Sequence, residues 1–339
     1  MRMFKDLFIG AVIGAANIIP GVSGGTMALV LGVYERLLTI LSSVSFASVK
    51  ALLGVLTFTG PARKTFLDEF NRLEGFFLIK IVSGALLSIA LLASLMTYLL
   101  HTYHDPTYGF FFGLVLMSAI YPFKLIKHKN VVVFMMVAAG VISVMALANS
   151  VSNEDLLAKA EFKQQIKQQQ AKMHRKKSAG ELPLPADSGR KLSAYMYFLV
   201  LGAVAITAMV LPGVSGSFLL LLLGGYFDIL AAIAGRDFLV LAAFALGCLI
   251  GLLASTRLIH FLLVRWHDAT MGYLFGLVIG SLWMIWPFKT SAVIGDETIY
   301  LGNTIPVVLG SAQWLTLLCT GAGIALILLF LLVENKQQV

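Results

Sequence analysis

The pentapeptide Pro-Gly-Val-Ser-Gly occurs twice in this chain, at Pro20–Gly24 and Pro212–Gly216, and each copy interrupts an apolar stretch. Inside a bilayer an unpaired backbone N–H or C=O is costly, so a helix broken there persists only where protein or a lined cavity receives the freed groups. Two such breaks at corresponding places in a duplicated chain point to a transporter's substrate site. Only 12% of the residues are charged, against about 25% in soluble domains, which makes the chain an integral membrane protein. Several apolar runs reach the roughly 20 residues that a spanning helix needs.

The duplication extends well beyond the pentapeptide. At a constant offset of 192, thirteen residues from Gly10 to Leu38 recur from Gly202 to Leu230, among them Gly32 and Tyr34. At an offset of 163, His104, Asp105, Thr107, Gly109, Phe112 and Gly113 recur as His267, Asp268, Thr270, Gly272, Phe275 and Gly276. Apolar sequence yields chance matches, but Pro, Gly, His and Asp in fixed order do not. Two membrane repeats, 1–150 and 192–339, flank a hydrophilic connector, 151–191. The expected fold is all-α and polytopic, and each repeat holds a Pro-Gly-broken, re-entrant helix pair and three spanning helices. In the first repeat these are 7–19 with 25–41, then 76–100, 107–122 and 131–149. In the second they are 194–211 with 217–234, then 238–264, 270–287 and 313–333. An odd number of crossings per repeat would invert one half relative to the other.

Charge placement supports that topology in part. Arg2, Lys5, Lys50, Arg63, Lys64, Lys124, Lys127 and Lys129 fit a cytoplasmic face. The connector, with nine Lys/Arg against five Asp/Glu, then falls outside, against the positive-inside rule. Its charge fits a solvated strand near anionic headgroups better than a nucleic-acid contact, which nothing else in the chain supports. The basic and apolar N-terminus resembles a leader, but Gly10-Ala11-Val12 recurs at Gly202-Ala203-Val204, so the segment is expected to belong to the fold. Cys248 and Cys319 lie in apolar segments and offer neither a disulfide framework nor a metal site.

The chemistry is expected at the breaks. Proline removes a donor, glycines permit tight turns, and Ser23 and Ser215 stand where a restarting helix takes its N-cap. The restarted helix ends would point N–H groups at one central anion, phosphate above all. The candidate phosphate-binding residues are Asn17, Pro20, Gly21, Ser23, Gly24, Gly25 and Thr26 with Pro212, Gly213, Ser215, Gly216 and Ser217. Arg257, about 12 Å deeper along a helix than Arg265, is a further phosphate partner or a snorkelling cation. Glu35 and Asp228, just beyond Tyr34 and Tyr226, bind a coupling proton or sodium ion or simply end a helix at the headgroups. Asp105 and Asp268 read as helix N-caps, with proton relay through His104 and His267 as the alternative. Pro122-Phe123-Lys124 and Pro287-Phe288-Lys289 read as helix stops with a snorkelling lysine. No cofactor, metal or catalytic residue is expected, and a homo-oligomer stays open.

At Asn17–Thr26, with the echo at Leu211–Ser217, the chain resembles the PopT family of bacterial membrane proteins, once a family of unknown function. The resemblance covers nearly everything but the connector. It implies a lipid flippase of the cytoplasmic (inner) membrane that returns undecaprenyl phosphate from the outer to the inner leaflet. That step recycles the carrier for peptidoglycan and other envelope polymers. Membrane undecaprenyl-diphosphate phosphatases carry a similar Pro-Gly-x-Ser loop, but with an arginine where this chain has Gly24 and Gly216. They also bear a Glu-x-x-x-Glu pair, which neither break has nearby. A transporter of small anions is the remaining alternative.

Overall fold

The computed structural model describes residues 2–18, 23–54, 60–150, 192–294, 297–308 and 310–337. The first half contains α1 (Arg2–Ile18), α2 (Gly24–Val30), α3 (Tyr34–Ser42), α4 (Phe46–Gly54), α5 (Gly60–Arg72), α6 (Gly75–Thr102), α7 (His104–Ser118), α8 (Ile120–Leu125) and α9 (Val131–Ser150). The second contains α10 (Leu192–Val210), α11 (Gly216–Leu222), α12 (Tyr226–Gly235), α13 (Phe238–Arg265), α14 (His267–Met284), a hairpin of β1 (Lys289–Ile294) and β2 (Glu297–Asn303), and α15 (Ser311–Gln337). Pro20 and Gly21 of the first pentapeptide and the whole 151–191 connector lie outside the described residues.

Four helix pairs build the body: α1 on α6, α10 on α13, α7 on α15 and α9 on α14. Glycine sets each approach. A Cβ on Gly10 would lie 2.2 Å from the Ile81 carbonyl oxygen and one on Gly14 2.4 Å from that of Ala85, so α1 and α6 run in the same direction. Gly202 meets Phe244 and Gly251 meets Ala203 in the same way between α10 and α13. Gly113 meets Thr320 between α7 and α15, and Gly276 meets Val137 between α9 and α14, so the last helix of each half packs against the other half. Backbones this close replace the hydrophobic force that lipid does not supply between helices.

Six of the described helices are long and apolar enough to span a membrane, or up to eight segments if each bent pair is one span. The long ones present apolar flanks outward, such as Leu86, Leu87 and Leu91 on α6. α1 and α14, expected as membrane segments, are not among the six. α14 instead forms the buried centre, with Met271, Leu274, Leu277 and Val278 at 1% exposure or less. A helix shielded by protein needs no uniformly apolar surface.

Several expectations are corrected here. The restarted helices do not run unbroken over 25–41 and 217–234; α2 and α3 meet at 112°, and α11 and α12 at 108°. Both bends are Schellman turns. Val33 N–H donates to Ala28 O and Gly32 N–H to Leu29 O, while Gly225 and Gly224 do the same to Leu220 and Leu221. Gly32 (φ 69°) and Gly224 (φ 75°) take the left-handed conformation this turn requires. The long first-half connector contains α4 and α5, fastened to the end of α3 where Arg72 Nη2 donates to the Ser43 carbonyl. Hydrogen bonds from Arg72 and Ser48 hold the Glu69 carboxyl down at about 2. The Pro122–Lys124 stop also fails: α8 runs through it, because proline is tolerated in a helix's first turn, whereas α14 does end just ahead of Pro287, with Ile285 at its C-cap. Lys289 does not snorkel. It lies on β1, where its ammonium donates to Met284 O and Asn303 Oδ1, and burial pushes its pKa down.

Candidate functional site at the meeting of the helix breaks

The first break is held by its own side chains. Ser23 caps α2 and its hydroxyl accepts from Gly25 N–H at 3.2 Å. Asn17, at the end of α1, accepts from Gly24 N–H at 3.1 Å. Ser23 and Thr26 are buried. Two of the donors expected to face a phosphate thus already have partners, since a turn buried in apolar surroundings must satisfy its own backbone.

The breaks meet across the two halves. Thr26 Oγ1 accepts from Gly213 N–H at 2.8 Å, a buried bond spanning 187 residues of sequence. The Tyr34 hydroxyl donates to the Val210 carbonyl at 3.0 Å. Gly25 lies against the Met209 and Val210 carbonyls. Gly213 (φ 81°) turns so tightly on α14 that a Cβ would be 2.5 Å from Leu277 O. At the second break Pro212 and Gly216 are buried, Ser215 is half-buried and Ser217 exposed. Ser215 holds the N-cap position of α11 without a side-chain cap bond, and its hydroxyl lies 3.0 Å from that of Ser217.

The charged candidates lie apart from the breaks. Arg257 Nε donates to the Ser42 carbonyl at 3.3 Å, and its guanidinium also bonds Val44 O. It therefore ties α13 to the C-terminal end of α3, where free carbonyls favour a cation. Glu35 Oε1 lies 3.6 Å from His267 Nε2, while His267 Nδ1 lies 3.2 Å from Asp268 Oδ1. Asp228 stands in the first turn of α12. Asp105 and Asp268 are not N-caps; Tyr103 and Trp266 occupy those positions without side-chain bonds. Asp105 bonds His104, whose ring stacks on Tyr300 with centroids 3.3 Å apart. Asp268 accepts from Lys127 and His128 N–H, joining α14 to the loop after α8. The sequence marked the polar residues of the breaks, but not their cross-half contacts or the Glu35–His267 approach.

Among the described residues, two cavities bear on this geometry. An apolar one of about 450 Å³ lies between the halves, walled by Phe112, Val141 and Met145 on one side and Ile279, Trp283 and Trp286 on the other. A polar one of about 600 Å³ lies at the Gly32 turn and contains Lys5, Arg36 and Lys80 with Asp6 and Glu74.

Paired helix breaks at the centre of a polytopic bundle, with an apolar cavity between halves, define a multi-pass membrane transporter. The chain belongs to the VCA0040-like family, described as undecaprenyl phosphate translocase-like, whose model matches residues 13–299. It is 34% identical to the polyprenyl-phosphate transporter of Vibrio cholerae over 85% of this chain and 79% of that one. It is 30% identical to the polyprenyl-phosphate transporter of Staphylococcus aureus over 85% of this chain and 88% of that one. Family and relatives are transporters, so the phosphatase reading falls away. No solved structure matches the chain.

Proposed function

We propose that this protein returns undecaprenyl phosphate from the outer to the inner leaflet of the bacterial cytoplasmic membrane, recycling the lipid carrier for peptidoglycan and other envelope polymers. One observation carries the reading: the two breaks are joined through Thr26 and Gly213, in a family whose relatives are named for polyprenyl phosphate. A phosphate passing this point exchanges the bonds that Asn17, Ser23 and Thr26 make to backbone N–H groups for bonds to its own oxygens. The other described break residues, Gly24, Gly25, Pro212, Gly213, Ser215, Gly216 and Ser217, belong to the same crossing point in this reading, and Pro20 and Gly21 are proposed with them from the sequence alone. Arg257 joins them when it leaves the α3 carbonyls, and the apolar cavity between halves accommodates isoprenoid carbon.

In this reading the halves are inverted repeats. The repeat, though not its orientation, is supported by the matched glycine contacts, Gly10 on Ile81 with Gly202 on Phe244 and Gly84 on Leu7 with Gly247 on Leu199, which keep the two sequence offsets. Glu35, beside His267, and Asp228 are the sites of a coupling proton or sodium ion.

A leaflet-resolved assay of undecaprenyl phosphate in proteoliposomes tests this, with proton and sodium gradients imposed separately. Wild type should move the lipid inward, and the combined Ser23→Ala and Ser215→Ala substitutions should slow it without altering insertion. A wild type that leaves the lipid in its original leaflet under every gradient overturns the proposal.

A further inference from the structure

The polar cavity at the Gly32 turn plays no part in the crossing described above. Its cations come from three separate elements: Lys5 on α1, Arg36 on α3 and Lys80 on α6. Arg36 Nε donates to Glu74 Oε2 at 2.8 Å, and its guanidinium carbon lies 3.8 Å above the Phe77 ring. That pairing occupies one edge of a group with five N–H donors. Lys80 is held more loosely, with its Nζ 3.4 Å from Asp6 Oδ2. Glu74 itself has φ 48°, a left-handed conformation at a helix junction where glycine or asparagine is the usual occupant. The other half has the same left-handed conformation at its corresponding junction, at Arg236 (φ 54°), so this strain belongs to the fold. Here the carboxylate is what holds the guanidinium in place.

The other half shows that the fold does not require these charges. At the two sequence offsets, Lys5, Asp6, Arg36, Glu74 and Lys80 correspond to Tyr197, Phe198, Asp228, Asp237 and Ala243. That half builds the same parallel helix pair and the same Schellman turn. Its turn is closed by the Tyr197 hydroxyl, which donates to Leu223 O at 3.3 Å, and Asp237 caps α13. Arg236, next to Asp237 in sequence, stands at the position of Leu73. A structural duty shared by both halves would not concentrate three cations in one of them.

The cavity is also well placed. It is bounded by Leu31–Val33 at the lower end of α2, whose other end is the Ser23 break. Seven helical residues separate the two, about 10 Å at helical rise. Phe76, on the cavity wall, is 68% exposed and faces outward from the bundle. A charged headgroup with an apolar tail can therefore sit here with its tail still in lipid.

We propose that this cavity is a vestibule for the phosphate-monoester headgroup of the transported lipid, in which Arg36 and Lys80 exchange Glu74 and Asp6 for phosphate oxygens. The inference rests on the lipid-phosphate reading above and adds a second station to it, at the membrane face where α1 begins. Asp6 and Glu74 hold the cations in position when no headgroup is bound. The lining carries one more positive than negative group, and a phosphate of charge about −1.5 to −2 is the better partner for them.

The test uses the full-length protein in nanodiscs of neutral lipid. Native mass spectrometry measures bound undecaprenyl phosphate, with inorganic phosphate and undecaprenol as competitors and a thermal midpoint for every variant. Arg36→Gln and Lys80→Gln should each weaken binding about tenfold, and Lys80→Arg should retain it. Glu74→Gln should tighten binding about threefold, because it removes the competitor for the guanidinium. Wild-type binding with no response to Arg36→Gln and Lys80→Gln overturns the vestibule alone. So does a Glu74→Gln loss as large as that of Arg36→Gln, the signature of an ion pair that merely fastens α3 to α6. Undecaprenol displacing the lipid at equal concentration would mean that the tail is what is read. Inorganic phosphate doing so would mean a site for free phosphate; either overturns the proposal. A wild type that neither binds nor moves polyprenyl phosphate removes the functional reading as well.

Discussion

At the first helix break Asn17, Ser23 and Thr26 each accept a backbone N–H, whereas the corresponding positions of the second carry Met209, Ser215 and Phe218, and the Ser215 hydroxyl pairs with that of Ser217. Proline and glycine produce the same interruption in both. The polar closure differs because the first break supplies the acceptors for itself and, through Thr26, for its partner. The same asymmetry recurs at the Schellman turns, cationic around Gly32 and sealed by Tyr197 around Gly224. The two halves thus share the backbone path and the helix contacts, while their side chains differ at the breaks and at the turns.

The strongest challenge to this comparison falls on what the halves share. Gly10→Leu and Gly202→Leu should be equally destructive, since any Cβ lies 2.2 Å from a carbonyl oxygen at both. Each should exceed the roughly 1–3 kcal/mol of ordinary overpacking and abolish a monodisperse peak in size-exclusion chromatography. Tolerance at one site alone would break the equivalence of the helix pairs.

Thr26→Val should come next, because it leaves the Gly213 N–H buried without an acceptor, at about 1–3 kcal/mol. Its counterpart Phe218→Leu loses no polar bond and should cost less than about 1.5 kcal/mol. Thermal unfolding in detergent separates the two. Equal shifts would mean that the Thr26–Gly213 bond contributes nothing.

The turns divide more finely. Gly32→Ala and Gly224→Ala both force a Cβ into the left-handed region, at roughly 1–2 kcal/mol. Only at Gly32 does that Cβ also meet the Tyr121 hydroxyl, at 2.5 Å, with nothing within 4 Å at Gly224. The Gly32 variant should therefore unfold at the lower temperature. Smallest is the cap comparison: Ser23→Ala should cost about 1 kcal/mol, and Ser215→Ala under about 0.5 kcal/mol. A larger loss at Ser215 would reverse the assignment of the better-closed break.

Much of this was legible beforehand, for local reasons. The membrane class followed from composition, and the breaks from Pro20, Gly21, Pro212 and Gly213. The cap at Ser23 followed from a hydroxyl at a helix start. The bends at Gly32 and Gly224 were visible only as repeated glycines, because a glycine in an apolar run is equally at home in a packed helix. The acid residues after His104 and His267 misled, since a carboxylate at a helix start caps only if the preceding backbone is extended in the right way. At both places a one-residue turn puts Tyr103 or Trp266 there instead.

By itself the sequence determined that the chain enters a membrane, that it does so as two related halves, and where each half must break. Those are consequences of hydropathy, proline's missing donor and glycine's missing side chain, all properties of short segments. Tertiary structure alone decided that α7 packs on α15 and α9 on α14, that Thr26 rather than a ligand receives Gly213 in this conformation, and that Lys80 faces Asp6. The two hydrogen-bonded pairs lie 74 and 187 residues apart, and only the packing of glycine-bearing helices against one another brings them within bonding distance.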